Sequence, residues 1–319
     1  MNGANLSQHL HTRTDLALEA RDLVRGATGR EVSGVSEQQQ TFPHGTVTVI
    51  NIMDENAEKV MGKPRGTYIT IEAPELKYKA PDVQQSVADV LAQHLKNLLQ
   101  LTGQETVLII GLGNRQATPD ALGPSVVENT LITRHLFQHM PEAVENYQSV
   151  CAIAPGVLGI TGIETAEIIR GVAEKVQPNV IIAVDALAAA NISRLGTTIQ
   201  IGNSGVTPGS GVNNQRSEIS YQTMGIPVIA IGVPTVVDAA LIAKTALETY
   251  AAKFSPGKQH PVYIKETLSD VLEPFQGSLI VTPREIDDLI QNAGRTISRG
   301  ITLAVHQRIP EEELVSLMY

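Results

Sequence analysis

The chain has 319 residues, of which 42% are hydrophobic, and its 24 Lys and Arg against 33 Asp and Glu give a net charge of −9. This hydrophobic content is typical of a globular protein with a sizeable core and excludes an intrinsically disordered chain. The acidic balance argues against a general DNA or RNA binder, because phosphate contacts need a surplus of Lys and Arg. Aromatic residues make up 3%, with no Trp, which is too few for a base-stacking platform. We therefore expect no direct nucleic-acid partner.

Cysteine content and hydropathy limit the cellular compartment of the protein and the kinds of site that it can form. The single cysteine, Cys151, excludes an intramolecular disulfide framework and a multi-cysteine zinc site, and its apolar surroundings predict a buried strand thiol. The N-terminal residues are polar and no window holds about 18 consecutive apolar residues. The sequence thus predicts a cytoplasmic protein with no membrane partner.

The first third of the chain contains few strong patterns. Helical spacing of leucines begins near Leu16, and VSEQQQTF (Val35–Phe42) is typical of an exposed loop. The clearer predictions are strands over Thr46–Ile52 and Gly66–Ala73 and a helix over Pro81–Leu101.

From residue 104 onward, apolar runs alternate with amphipathic segments, which predicts an α/β fold with a doubly wound, mostly parallel sheet. We expect one α/β core over about 104–254, with flanking segments 16–103 and 255–319 packed onto it. The predicted strands are Thr106–Ile110, Ser149–Ala154, Asn179–Val184, Thr198–Ile201 and Pro227–Gly232, and the predicted helices are Pro124–His139, Thr161–Val176 and Val236–Tyr250.

The tail has two further predicted elements. Residues 261–268 (PVYIKETL) have a strand-like composition, and a helix begins near Pro283. Thr282 as N-cap, Pro283 as the first helical residue and Glu285 two positions later form a favourable helix start.

The first motif that could carry catalysis or binding is GLGNRQATPDALGP (Gly111–Pro124), which contains Asp120 and joins a predicted strand to a predicted helix. The third glycine of a dinucleotide-binding G-x-G-x-x-G would fall on Gln116, so that fingerprint fails. Asp120 is either the N-cap of the following helix or a site carboxylate.

Asp185 follows the apolar run IIAV and forms the second candidate. Asp120 and Asp185 are both expected at the carboxyl edge of the sheet, where ligands collect in parallel sheets. Two neighbouring carboxylates share a proton, so that one can act as base on a water while the other protonates the leaving group. Two separate strand-end caps are the structural alternative.

A glycine-rich segment, Gly202–Arg216, could wrap a peptide backbone through Gly205, Gly209 and Gly211, or could be an ordered connection near the site. No Walker A loop, G-x-S-x-G elbow or H-E-x-x-H motif is present. His135 and His139 have metal-compatible i, i+4 spacing, but their surroundings favour a half-exposed helix. We predict neither a metal nor another cofactor.

Several of these segments, in order along the chain, resemble the germination proteases of spore-forming bacteria. The segments are GLGNRQATPDALGP, VVENTLITRHLF, APGVLGITGIET, VDALAAA, TPGSGVNNQRSEIS and GIPVIAIGVPTVVDA. The resemblance implies an endopeptidase, active in the spore interior, that degrades small acid-soluble spore proteins during germination. It also implies a self-processing zymogen, a homotetramer, a fold like that of hydrogenase-maturation endopeptidases, and an atypical aspartic mechanism whose two aspartates match Asp120 and Asp185.

The same resemblance implies a role for the segment TDLALE (Thr14–Glu19). Substrates of the family are cut after an acidic residue in a Thr-Glu-apolar-Ala-Ser-Glu-like stretch, and this segment looks like a copy carried in cis. Asp15 replaces Glu before the cut, and Leu18 replaces the small Ser. We predict self-cleavage between Asp15 and Leu16, which divides the chain into a propeptide, 1–15, and a single peptidase domain, 16–319.

Two other classes of function remain open at this stage. One is a metal-dependent peptidase or maturation protease on the same fold. The other is a binding module without catalysis that uses the glycine-rich segment.

Overall fold

The computed structural model describes residues 14–209, 216–254, 267–268, 270–275 and 279–318. Within these residues nine strands form one sheet, in the order β1-β2-β3-β7-β8-β6-β4-β5, with β9 paired to β8. The strands are β1 (Val35–Phe42), β2 (Gly45–Ile52), β3 (Gly66–Glu72), β4 (Thr106–Gly111), β5 (Ser149–Ile153), β6 (Val180–Ala189), β7 (Thr198–Gly202), β8 (Val228–Asp238) and β9 (Ile280–Val281).

The helices cover both faces of this sheet. They are α1 (Ala17–Thr28), α2 (Glu55–Met61), α3 (Pro81–Leu99), α4 (Leu122–Asn129), α5 (Arg134–His139), α6 (Leu158–Thr161), α7 (Thr165–Val176), α8 (Tyr221–Met224), α9 (Ala239–Phe254), α10 (Ile286–Val305) and α11 (Glu311–Met318). None of the helices in the described part of the chain is long and apolar enough to cross a membrane.

The centre of the sheet is parallel, which confirms the predicted α/β class. Strands β5, β4, β6 and β8 run in the same direction. Beyond β8 the sheet continues through β7, β3, β2 and β1 in antiparallel pairs. The flanking segment before residue 104 therefore adds three strands to the same sheet.

The alternation of side chains along β4 shows how both faces are buried. Val107 and Ile109 belong to the core beneath α3, α4 and α10, while Leu108 and Ile110 pack on the opposite face against α7. Successive strand residues point to opposite faces, so a continuous apolar run is needed where helices cover both. A third, smaller core lies between α1, α2 and strands β2 and β3.

Val35–Phe42 is a strand, so the prediction of an exposed loop was wrong. It pairs over its full length with β2, from Val35 opposite Ile52 to Phe42 opposite Gly45. Its central residues are exposed because it lies at the edge of the sheet, and its polar side chains conceal the strand pattern.

Three predicted helices have different bounds. The single helix over Pro124–His139 is two helices, α4 and α5, because Thr133 turns toward β5, where its hydroxyl donates to the Gln148 carbonyl and accepts from the Val150 N–H. Gly162, at φ +71°, separates α6 from α7 within the predicted Thr161–Val176. Val236 lies in β8, and α9 begins at Ala239.

The tail also departs from expectation. Helix α10 begins at Ile286 with Glu285 as N-cap and no side-chain cap bond, whereas the Thr282 hydroxyl donates to the Thr235 carbonyl in β8. The predicted Thr282 cap was therefore wrong. Of the strand-like stretch 261–268, residues 261–266 lie outside the described residues, and Thr267 and Leu268 are helical.

Candidate active site

Asp185 lies inside β6 at the carboxyl edge of the parallel strands. The neighbouring strand β4 stops at Gly111, opposite Val184, whereas β6 continues to Ala189 because the long β8 still pairs with it. The prediction that the strand ends at Val184 was therefore wrong. Asp185 is 6% exposed, and the Ala186 N–H donates to its Oδ1 at 2.9 Å.

Asp120 lies in a 3₁₀ turn, Thr118–Asp120, between β4 and α4. Helix α4 starts after Ala121 with no side-chain cap bond, so Asp120 is not its capping side chain. Position 113 of the motif requires glycine: its φ is +106°, and a Cβ added there would lie 2.1 Å from the Asp120 backbone oxygen. The Asn114 N–H donates to that same oxygen at 2.9 Å. The motif thus holds the turn that carries Asp120 close to the end of β4.

The two carboxyl groups share one cleft. Asp120, Asp185 and Asp15 line a cavity of about 380 Å³, and Asp15 and Asp185 also line an adjoining cavity of about 220 Å³. Burial raises the pKa of Asp120 to about 6, opposed by a hydrogen bond from the Asn114 backbone. Burial raises the pKa of Asp185 well above its usual range, and the charges of Asp120 and Asp15 raise it further. The surroundings of Asp185 therefore favour its protonated form.

The segment around Asp15 lies against β6, next to Asp185. The Asp15 N–H donates to the Ala188 carbonyl at 3.0 Å, and the Ala188 N–H donates to Asp15 Oδ2 at 2.9 Å. Leu16 and Ala17 are completely buried. The predicted cleavage site therefore occupies the cleft that holds the two aspartates.

Glu19 anchors the other end of this segment. Its carboxylate accepts from the Ala190 N–H at 2.7 Å and from the Asn191 N–H at 3.0 Å, and it pairs with Arg194 at 3.5 Å. The Thr14 hydroxyl also donates to it and accepts from the Leu16 N–H. Thr14 is thus not the cap of α1, whose N-cap is Leu16 with no side-chain bond.

Three residues at the site were not found by the sequence analysis. Arg194 contacts Glu19, while Lys63 and Gln200 contact the Asp15 carbonyl. They come from distant parts of the chain, which the sheet brings together at the cleft.

The glycine-rich segment borders the cleft in part. Gly205 and Gly209 line the smaller cavity, and Gly209 also lines the larger one. Gly205, at φ +88°, allows the close approach of residue 219, whose backbone oxygen would lie 2.4 Å from an added Cβ. Gly211 lies outside the described residues.

The histidine pair and the cysteine lie away from this cleft. His135 and His139 are in the short helix α5, and both are exposed. Over the described ranges, no group of three or more His, Cys, Asp or Glu side chains is arranged to hold a metal ion. Cys151 is a half-buried residue of β5, less enclosed than predicted.

Comparison with known proteins identifies the class. A family model described as germination protease matches residues 14–260. A germination protease of Caldanaerobacter subterraneus is 47% identical over 97% of this chain and 99% of that protein. One from Clostridium perfringens is 41% identical over 95% and 98%, and one from Priestia megaterium is 37% identical over 97% of each. The protein is therefore a peptidase.

The chain belongs to the germination protease family, as the sequence motifs predicted. Among solved structures, the [NiFe] hydrogenase maturation protease HycI from Thermococcus kodakarensis covers 66% of this chain and 98% of its own, with a TM-score of 0.36 and 17% sequence identity.

Proposed function

We propose that this germination protease is an endopeptidase that starts the degradation of small acid-soluble spore proteins, and that it is made as a zymogen that cuts itself between Asp15 and Leu16. One observation carries the proposal: Asp15 lines the same cavity as Asp120 and Asp185 and is bound to β6 through its backbone and side chain. A chain segment held in this way has the position of a bound substrate.

The raised pKa values assign the two carboxyl groups different roles. Asp120, with a pKa of about 6, is the base that takes a proton from a water as its oxygen bonds to the Asp15 carbonyl carbon. Asp185, whose pKa is raised by burial and by the charges of Asp120 and Asp15, gives its proton to the Leu16 nitrogen as the carbon–nitrogen bond breaks. The products are a carboxyl group on Asp15 and an amine on Leu16, and the water supplies the oxygen and both protons in net terms.

The Glu19 contacts support the proposed substrate class. A carboxylate four residues after the cut is recognised by two backbone N–H groups and Arg194. Charge-assisted hydrogen bonds of this kind select an acidic side chain over a neutral one. This requirement agrees with substrates of the Thr-Glu-apolar-Ala-Ser-Glu type.

The same placement explains why the unprocessed form would be inactive toward other proteins. Asp15 lies in the cleft beside both aspartates, and Leu16 and Ala17 have no exposed surface. A protein substrate can enter only after this segment is cut and displaced. The division into a propeptide, 1–15, and a peptidase domain, 16–319, follows from that cut.

The remaining parts of the proposal come from family membership: action in the spore interior, a homotetrameric assembly, and catalysis by carboxyl groups without a cofactor. A metal-dependent peptidase or maturation protease on the same fold is the competing mechanism.

The test is to incubate the protein with a purified acid-soluble spore protein and identify the cut positions by mass spectrometry. We expect cuts after the acidic residue of the Thr-Glu-apolar-Ala-Ser-Glu stretch, at an unchanged rate after exhaustive chelation. Asp120→Asn and Asp185→Asn should each lower the rate by a factor of about 10⁴ or more, as loss of a catalytic triad residue does. Loss of activity on chelation, with recovery on adding metal, would favour the competing mechanism instead.

A further inference from the structure

Two side chains converge on the carbonyl oxygen of Asp15. Lys63 Nζ donates to it at 3.1 Å and Gln200 Nε2 at 3.0 Å. This oxygen belongs to the peptide bond that the proposed function cuts. Most carbonyl groups in proteins are bonded to backbone N–H groups, whereas here two side chains from distant parts of the chain supply both donors.

The orientation of the Gln200 amide is fixed by its second hydrogen bond. Its Oε1 accepts from the Ala17 N–H at 2.6 Å, so its nitrogen must face the Asp15 oxygen. A flipped amide would place its NH₂ group against the Ala17 N–H and its oxygen against the Asp15 oxygen. Gln200 is also held in place by its strand, since it pairs with Thr70 of β3 and Gly232 of β8.

Lys63 comes from outside the strands, in the segment between α2 and β3. It follows α2 directly after Gly62, which ends that helix in the left-handed conformation. Burial lowers the pKa of Lys63, and the carboxylates of Asp15 and Glu19 oppose that shift. The charged and the neutral amine both carry N–H bonds, so the contact with the Asp15 oxygen persists in either state.

We propose that Lys63 and Gln200 form the oxyanion hole of this peptidase, binding the carbonyl oxygen of the residue before the cut and stabilising the negative charge that develops on it. As water adds to the carbonyl carbon, the electron pair of the C=O bond moves onto this oxygen, where both donors already point. When the carbon–nitrogen bond breaks, the pair returns to the C=O bond. Asp185 does not need to protonate the oxygen, so its proton is available for the Leu16 nitrogen.

The inference rests on the proposed function, and the full-length chain tests it through the first-order rate of cleavage between Asp15 and Leu16. We expect Lys63→Met and Gln200→Glu each to slow this rate about 100- to 1,000-fold, the usual effect of removing one oxyanion donor. Gln200→Glu keeps the oxygen that accepts from the Ala17 N–H. Lys59→Met, on the exposed side of α2, is the matched control and should cleave at the wild-type rate.

Chemical rescue separates a donor from a packing role. Ethylammonium should raise the cleavage rate of Lys63→Ala, which leaves space for it, but not that of Lys63→Met, which fills the space. Cleavage of Lys63→Met and Gln200→Glu within threefold of wild type, while Asp120→Asn stays uncut, would overturn the oxyanion hole and leave the proposed function standing. A wild-type chain that is never cut after Asp15 would overturn both.

Discussion

At the scale of single residues, the site combines two carboxyl groups that lie in different surroundings. Asp185 is enclosed within a strand and faces the charges of two other carboxylates, whereas Asp120 sits in a half-buried turn. Burial and like charge both favour the protonated form of a carboxyl group, and Asp185 is subject to both.

This inequality predicts the pH dependence of cleavage. The base must be ionised, so the rate should rise with pH through about 6, where Asp120 loses its proton. The acid must be protonated, so the rate should fall again when Asp185 ionises at higher pH. The profile is measured as the cleavage rate of the full-length chain in buffers of constant ionic strength. A rate that is flat or rises as the pH falls from 7 to 5 would exclude Asp120 as the base.

The sequence revealed the two aspartates but not the residues around them. Asp120 and Asp185 follow or interrupt apolar strands, a position that marks the carboxyl edge of a parallel sheet. Lys63 and Gln200 come from a helix end and from a strand of ordinary composition. They reach the cleft because β3 and β7 join the sheet in antiparallel pairs, and the local sequence does not specify strand direction.

At the scale of elements, the segment Thr14–Glu19 joins α1 to the open end of β6. Its hydrogen bonds use the N–H group of Ala188, where β6 extends beyond the neighbouring β4, and those of Ala190 and Asn191, directly after the end of β6. The extension of β6 therefore creates both the position of Asp185 and the surface on which the segment binds. Predicting a strand end at Val184 concealed this surface, since the pairing with β8 that extends β6 is not local.

The contacts of Glu19 predict how firmly the segment Thr14–Glu19 is held. Glu19→Gln removes the charge that two N–H groups and Arg194 bind, so the segment should open more often. A charge-assisted hydrogen bond contributes roughly 1.5–3 kcal/mol, so amide hydrogen exchange at Ala188, Ala190 and Asn191 should become about 10- to 100-fold faster.

The matched control is Asp22→Asn, which changes an exposed carboxylate in the same helix. It should leave these three amides unchanged. Equal protection in Glu19→Gln and wild type would mean that the acidic side chain does not hold the segment in the cleft.

At the scale of the whole molecule, the mixed sheet brings the two halves of the site together. The alternating strand and helix pattern predicted the parallel centre that carries Asp120 and Asp185. In the antiparallel half, β2, β3 and β7 were predicted as strands, whereas β1 was missed because it is polar. Their place in the same sheet was not predicted, because short-range patterns do not show which strands become neighbours.

At this scale, the net charge of the molecule does not account for the proposed activation by cleavage. The net charge of −9 would be unchanged by loss of residues 1–15, because Arg13 and Asp15 cancel. Under the proposed zymogen mechanism, activation follows from displacement of the cut segment. Cleavage would create a new amine on Leu16, which is fully buried, and a new carboxylate beside Asp185, and both favour release of the cut segment.

The most direct test of the account is the intact mass of the freshly purified full-length chain, followed over time. Wild type and the control Asp82→Asn, an exposed carboxylate at the start of α3, should lose residues 1–15 and begin at Leu16. Asp120→Asn and Asp185→Asn should keep their full mass while retaining the wild-type circular dichroism spectrum. Removal of residues 1–15 from either of these variants at the wild-type rate, or a mature chain that begins elsewhere, would contradict the account.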